Sequence, residues 1–453
     1  MPDDRSRSRN TNQRRSSSVE SRRQRYASYD AQQYSDQPRR RSSTQGSRSQ
    51  QAPSQQARPQ RDQYARTQHP ERSSRPQAER GDYARGGYVA RKKKSKLPFI
   101  IAGIAVVVVI LIVVLALRGC GGGENADTQD ASSDANNIYT TEATPLEEGR
   151  IVMTLGGDAD TIVLLGEDYI ESGCHAIDKQ EGNITTNVQI TGDVDTSTAG
   201  DYTVTYTVRN SENMEATKTR TVHVVESMEA DTDGISVMMY HYVYDDANPP
   251  EDLNNNYIPA SKFEQHLQYL VENDYYFPSY QELSAYIAGT HSLPAKSVVL
   301  TFDDGELGFL DYGKPLLEKY QVPATSFIIC IDPDASERIT NYASEYITFQ
   351  SHTYGCHMAG TSGLGHGGKI FDLTEDELVE DFQTAQSILG TSEAVAYPYG
   401  DVSDVADAAC ARAGILCAFT TNYGQVHVGD DPYQLSRMRV FGDYDVSSFY
   451  AQV

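Results

Sequence analysis

The chain has 453 residues and a formal net charge of −24, but the charge is unevenly divided. Residues 1–96 hold 24 Lys and Arg against 9 Asp and Glu, a net of +15, whereas residues 119–453 hold 14 against 54, a net of −40. So acidic a body argues against nucleic acid as its partner, because phosphates need Lys and Arg for neutralisation, and it suits neutral or cationic polymers better than anionic ones.

In chain order, residues 1–96 are rich in Arg, Ser, Gln and Tyr and poor in aliphatic residues. Such a segment buries too little apolar surface to offset its ordering entropy, so it reads as a disordered basic tail. It ends in the cluster Arg91-Lys92-Lys93-Lys94-Ser95-Lys96. Residues 97–117, LPFIIAGIAVVVVILIVVLAL, carry no charge. At a rise of ~1.5 Å per residue this run spans about 30 Å, the thickness of a bilayer core, and is expected to be a transmembrane helix. The positive flank lies on its N-terminal side, which predicts a cytoplasmic tail and an extracellular body: a single-pass protein of the cell membrane. Residues 118–149 read as a flexible acidic linker.

From 150 to 227 the pattern alternates with period two, as in Tyr202-Thr203-Val204-Thr205-Tyr206-Thr207-Val208 and in the run TKTRTVHVV at 217–225. This predicts a small antiparallel β-sandwich. The segments LGEDYIESGCHAID, TAGDYTVTYTV and TRTVHVV resemble bacterial Ig-like modules of surface proteins. The module is expected to act as a spacer or to contact carbohydrate or wall. His175 and His223 read as ordinary packed or surface residues.

From 234 to 453 strands and helices alternate. Strands are expected at 235–240, 297–302, 324–329, 346–350, 394–397 and 416–420, with a late strand at LSRMRV. Ser261/Glu264, Ser279/Glu282 and Thr374/Glu377 have the spacing of helix-starting capping boxes, and Gly289, Gly390 and Gly414 stand where helices should stop. Repeated β-then-α units predict a parallel sheet or barrel, whose chemistry gathers at the C-terminal ends of the strands. Six cysteines without a CxxC pair make neither a disulfide framework nor a structural zinc site. Cys410 and Cys417 are close enough to bridge, but packed free thiols are the simpler reading.

Three features fall at predicted strand ends. VVLTFDDG ends in Asp303-Asp304-Gly305. Adjacent carboxylates repel unless a cation or a base role separates their ionisation, and neighbouring strand residues point opposite ways, so the two can differ in role. YITFQSHTYGCHM places His352 at a strand end and His357 five residues on. That spacing does not share a helical face, but a strand-to-loop bend can bring both imidazoles to one transition metal. AVAYPYG runs into a tight loop at Tyr397-Pro398-Tyr399-Gly400, which can aim backbone N–H groups at a ligand.

In the order TFDDG, H-[ST]-x-x-x-H and YPYG, the sequence resembles the NodB-homology polysaccharide deacetylases, carbohydrate esterase family four. VMMYHYV also resembles the branch whose first strand ends in Tyr-His. The resemblance covers about residues 235–445. It implies a distorted (β/α) barrel of seven strands that hydrolyses the N-acetyl, less often the O-acetyl, groups of a polysaccharide. It implies one divalent ion, expected to be Zn2+, on Asp304, His352 and His357. Asp303 matches the catalytic base, and Tyr399 the residue whose backbone N–H helps hold the oxyanion. Ala396 stands where the usual arginine of RxPYG would be, and the usual C-terminal Leu-x-His is absent. His241, at the end of the first barrel strand, is therefore a candidate general acid, and Arg437 a candidate replacement for the arginine beside Asp303.

The expected architecture is multidomain: tail, membrane helix, linker, Ig-like sandwich, barrel. Two alternatives stand beside the envelope N-deacetylase: an O-acetyl polysaccharide esterase and a non-catalytic glycan-binding envelope protein.

Overall fold

The computed structural model describes residues 142–251 and 253–453. The expected tail, the apolar run 97–117 and most of the linker lie outside the described residues. Among the described residues no helix is long and apolar enough to cross a membrane.

The first domain is the expected two-sheet sandwich, antiparallel except for one parallel pairing, between residues 160–164 and 221–225. One sheet has the order β2 (Asp160–Leu164), β7 (Glu215–Val225), β6 (Gly200–Arg209), β5 (Gln189–Thr191). The other has the order β1 (Ile151–Leu155), β3 (Cys174–Asp178), β4 (Gly182–Asn183). The alternation legible in β6 turns Val204, Tyr206 and Val208 into the core. Arg220 of β7 is also fully buried there. Its guanidinium is satisfied by neutral oxygens: the carbonyls of Gly156 and Asp158 and the hydroxyls of Thr161 and Tyr206.

The second domain is a closed barrel of seven parallel strands in the order β11-β12-β13-β14-β15-β16-β8. These are β8 (Ser236–Tyr240), β11 (Val298–Phe302), β12 (Ala324–Ile328), β13 (Ile347–Ser351), β14 (Ala394–Ala396), β15 (Cys417–Tyr423) and β16 (Leu435–Arg439). Two short strands, β9 (Tyr242–Tyr244) and β10 (Tyr257–Pro259), pair beyond the end of β8. The run VVLTF of β11 is buried throughout, as a strand covered on both faces must be.

The helices that position the site are α1 (Ala260–Glu272), α2 (Tyr280–Ile287), α3 (Lys314–Tyr320), α4 (Ala335–Asn341), α5 (Glu375–Leu389), α6 (Asp404–Ala413) and α7 (Val446–Tyr450). Capping boxes form at Ser279/Glu282 and Thr374/Glu377, and Gly390 and Gly414 end α5 and α6 in the left-handed conformation. The expected box at Ser261/Glu264 does not form. Pro259 is the N-cap of α1, the Ser261 hydroxyl donates to Asp246, and Glu264 is taken by Lys319 and Tyr320 of α3. The five described cysteines, Cys410 and Cys417 among them, are buried free thiols.

The Ig-like module is seated against the barrel end opposite the DDG turn. Ser172 shares a hydrogen bond with Ser279 (2.7 Å), Thr154 donates to the Ser344 carbonyl (2.6 Å), and Asn183 donates to the Leu389 carbonyl (2.6 Å). His175 Nε2 lies 3.2 Å from Glu393, which also accepts from Gln281 and Gln350. A Cβ at Gly157 would sit 2.6 Å from the Ser279 nitrogen, so backbone packs directly on backbone there. These contacts join the module directly to the barrel. His175 is packed, as expected, and bonds across the junction.

Candidate functional site

β11 delivers Asp303 and Asp304 to the C-terminal rim of the barrel. Asp304 takes a φ of 71°, which turns its carboxylate away from that of Asp303. The two carboxylates then meet different partners.

Asp303 is buried and is gripped by Arg437 of β16, which is itself fully buried. The guanidinium donates to both oxygens at 2.7 Å, in the parallel geometry of a bidentate pair. Its remaining donors reach the Thr420 carbonyl (3.0 Å) and the Thr301 hydroxyl (3.2 Å). Burial alone would raise the Asp303 pKa. The charge and hydrogen bonds of Arg437, with the nearby His352 and His241, hold it below the ordinary carboxylate value.

Asp304 faces two imidazoles. Its Oδ1 lies 3.3 Å from His352 Nε2 and 3.3 Å from His357 Nε2. Burial works to raise its pKa, but the hydrogen bonds and charges of the two histidines hold it far below the usual range. His352 follows β13, and its Nδ1 donates to the Ala396 carbonyl at 2.7 Å. That bond fixes the ring's orientation and turns Nε2 toward Asp304. The His357 ring centre lies 5.0 Å from that of His352 and 4.8 Å from that of Tyr399.

Tyr399 sits in the turn Pro398–Gly400 with a φ of 62°. Its ring is exposed at the rim. His241 follows β8. Burial pushes its pKa down, while the charges of Asp303 and Asp304 pull it up, so it lies within electrostatic reach of both carboxylates. The structure thus brings Asp303, Asp304, His352, His357, Tyr399, His241 and Arg437 to one end of the barrel.

The donor set fits a divalent transition ion. Asp304, His352 and His357 each offer one ligand atom, and these lie within 4.8 Å of one another. The 3.3 Å separations match donors sharing an ion at roughly 2.0–2.2 Å each. Two imidazoles and one carboxylate are the ligands that suit zinc and its neighbours.

One contact at the centre carried no signal in the chain. Tyr242 of β9 donates its hydroxyl to Asp304 Oδ2 at 2.7 Å. It sits beside the Tyr-His pair, but its reach across to Asp304 depends on how β8 and β11 pair.

The family model for polysaccharide deacetylases matches residues 290–418, and that for the Ig-like domain of bacterial surface proteins matches residues 153–224. The poly-beta-1,6-N-acetyl-D-glucosamine N-deacetylase of Staphylococcus epidermidis is 26% identical over 210 residues, covering 43% of this chain and 71% of its own length. The Staphylococcus aureus protein of the same name is 23% identical over 209 residues, covering 43% of this chain and 71% of its own length. Among solved structures, IcaB from Ammonifex degensii is 27% identical with a TM-score of 0.42, covering 50% of this chain and 100% of that one. The deacetylase PplD of Streptococcus pyogenes is 23% identical with a TM-score of 0.41, covering 49% and 99%. The chain therefore carries a polysaccharide deacetylase domain of the NodB type, folded as a (β/α) barrel, together with a bacterial Ig-like domain.

Proposed function

We propose that the protein is a membrane-anchored, extracellular, metal-dependent hydrolase that removes N-acetyl groups from an N-acetylglucosamine glycan of the cell envelope. A β-1,6-linked polymer is the first candidate, because that is the substrate named for the relatives in Staphylococcus. The observation that carries the reading is the pairing of two differently partnered carboxylates on one strand end. Asp303 lies on Arg437, and Asp304 lies with His352 and His357.

Asp304, His352 and His357 would hold the ion, which supplies positive charge that acidifies water and polarises a carbonyl. Asp303, kept ionised and oriented by Arg437, accepts a proton from the attacking water. The Tyr399 backbone N–H donates to the oxygen that becomes negative as the acetyl carbon turns tetrahedral. His241 delivers a proton to the departing amine, so that acetate and a free amino sugar leave.

The anchoring rests on the uncharged run 97–117 and on the basic cluster preceding it. An acidic body also suits this chemistry, since each deacetylation turns a neutral sugar cationic.

Acetate release from oligomers of β-1,6-linked N-acetylglucosamine tests the activity, with chitin oligomers and O-acetylated xylan alongside. Release from an N-acetylated glycan with matching gain of primary amine is expected. Release from the O-acetylated polymer alone would replace this reading with an esterase.

A further inference from the structure

The bend between His352 and His357 is held from outside the barrel. Thr353 adopts a φ of 68°, and the next residues run beside the end of β12. There the Cys330 N–H donates to the Thr353 carbonyl (3.0 Å) and the Ile331 N–H to the Tyr354 carbonyl (2.9 Å). The N–H groups of Tyr354 and Gly355 both turn to helix α5. Asp381 accepts them with separate oxygens, at 2.9 Å from Tyr354 and 2.7 Å from Gly355. Two successive N–H groups converging on one carboxylate form a compact anion cradle.

The helix that carries Asp381 is itself firmly set. It begins with the Thr374/Glu377 box and buries Leu378, Phe382, Ala385 and Leu389. Its carboxylate therefore fixes the Tyr354–Gly355 backbone relative to the barrel wall. On either side of that held bend, two histidines five residues apart reach the same oxygen of Asp304, each at 3.3 Å.

We infer that Asp381 is a positioning residue for the metal centre, presetting His357 against His352 and Asp304 by its grip on the Tyr354 and Gly355 N–H groups. This rests on the proposal that Asp304, His352 and His357 hold an ion. Asp381 is not one of the three donors; it acts on them through the Tyr354–Gly355 backbone, with the neighbouring Cys356 thiol as a further partner. An amide at 381 has one accepting oxygen, so its NH2 would face the second N–H; Asp381→Asn therefore keeps one bond and loses the other.

The test is Zn2+ affinity of the full chain, measured by competition with a chromophoric chelator, beside thermal melting of the metal-free protein. Asp381→Asn should bind Zn2+ about tenfold more weakly and Asp381→Ala up to about 100-fold more weakly, the range found when groups supporting metal ligands are removed. Glu380→Gln, one residue away on the exposed side of α5, should match the wild type. A role confined to stability would lower the metal-free melting temperature and leave Zn2+ affinity alone, which would overturn the inference. If Asp381→Ala does not fold, Asp381→Asn decides: wild-type affinity there overturns it. A wild type that binds no Zn2+ would remove the metal proposal and this inference with it. A wild type that binds, with variants that bind equally well, removes only the role of Asp381.

Discussion

Arg437 and Asp303 stand 134 positions apart in the chain, yet they meet through two parallel hydrogen bonds of 2.7 Å. The strand pairing of β16 with β8, and of β8 with β11, brings them together at the rim. We propose that Arg437, from another strand, stands in for the arginine absent at Ala396.

Removing that arginine leaves a buried carboxylate without its cation. Arg437→Met should cost about 3–5 kcal/mol of stability, read by denaturant unfolding. The depressed pKa of Asp303 contributes stability above the unfolded carboxylate value of about 3.9, lost as pH falls through its folded pKa. Without Arg437 the folded pKa rises, so the acidic limb of the pH–rate profile should move upward and turnover should fall. An unchanged acidic limb in Arg437→Met would mean that another group orients Asp303.

Tyr242→Phe deletes the hydroxyl on Asp304 Oδ2 and little else, because the ring is kept. Zn2+ affinity should fall roughly tenfold, with the fold intact by circular dichroism. Equal affinity in chelator competition would show that Asp304 is oriented without Tyr242.

His241 can be separated from the metal centre by leaving group. An amine needs a proton to depart, whereas the phenolate of an activated aryl acetate does not. His241→Ala should slow N-deacetylation by roughly 10²–10⁴-fold and spare aryl acetate hydrolysis. Near-normal acetate release from the N-acetylated glycan across pH would exclude His241 as the acid.

The seating of the Ig-like module predicts that both domains melt in one transition. Glu393→Ala strips a partner from His175, Gln281 and Gln350 and should cost roughly 1–3 kcal/mol. Burial would lower the His175 pKa and raise that of Glu393, but each charge holds the other in its ionised form, raising His175 and lowering Glu393. The His175 contribution is complete below about pH 6.5 and fades as pH rises through its folded pKa. That of Glu393 is present above about pH 4.3 and fades as pH falls through its folded pKa. The junction should therefore be firmest between about pH 4.3 and 6.5, a preference that Glu393→Ala should abolish in melting curves taken across pH.

The motifs TFDDG, HTYGCH and YPYG were legible because each sits at a strand end, where local pattern and chemistry coincide. Arg437 could be picked out because basic residues are scarce in the acidic body and this one lies on a late strand. Tyr242 and Asp381 could not. Tyr242 acts from a short strand beyond a break, and Asp381 looks like one more acid on an amphipathic helix. Both roles arise only once the barrel closes. The junction was equally hidden, because much of it is made of backbone atoms, as at Gly157, Ser344 and Leu389.

In the proposed mechanism the two adjacent aspartates divide the roles of base and metal ligand, and one paired measurement tests that division. Zn2+ content and acetate release are determined together for wild type, Asp304→Ala and Asp303→Asn on an N-acetylated β-1,6-glucosamine oligomer. The wild type should bind one ion and release acetate. Asp304→Ala, like His352→Ala and His357→Ala, should lose both. Asp303→Asn should keep the ion and lose turnover, because it removes a base and not a ligand. An Asp303→Asn protein that releases its metal, or that turns over at the wild-type rate, would contradict the assignment.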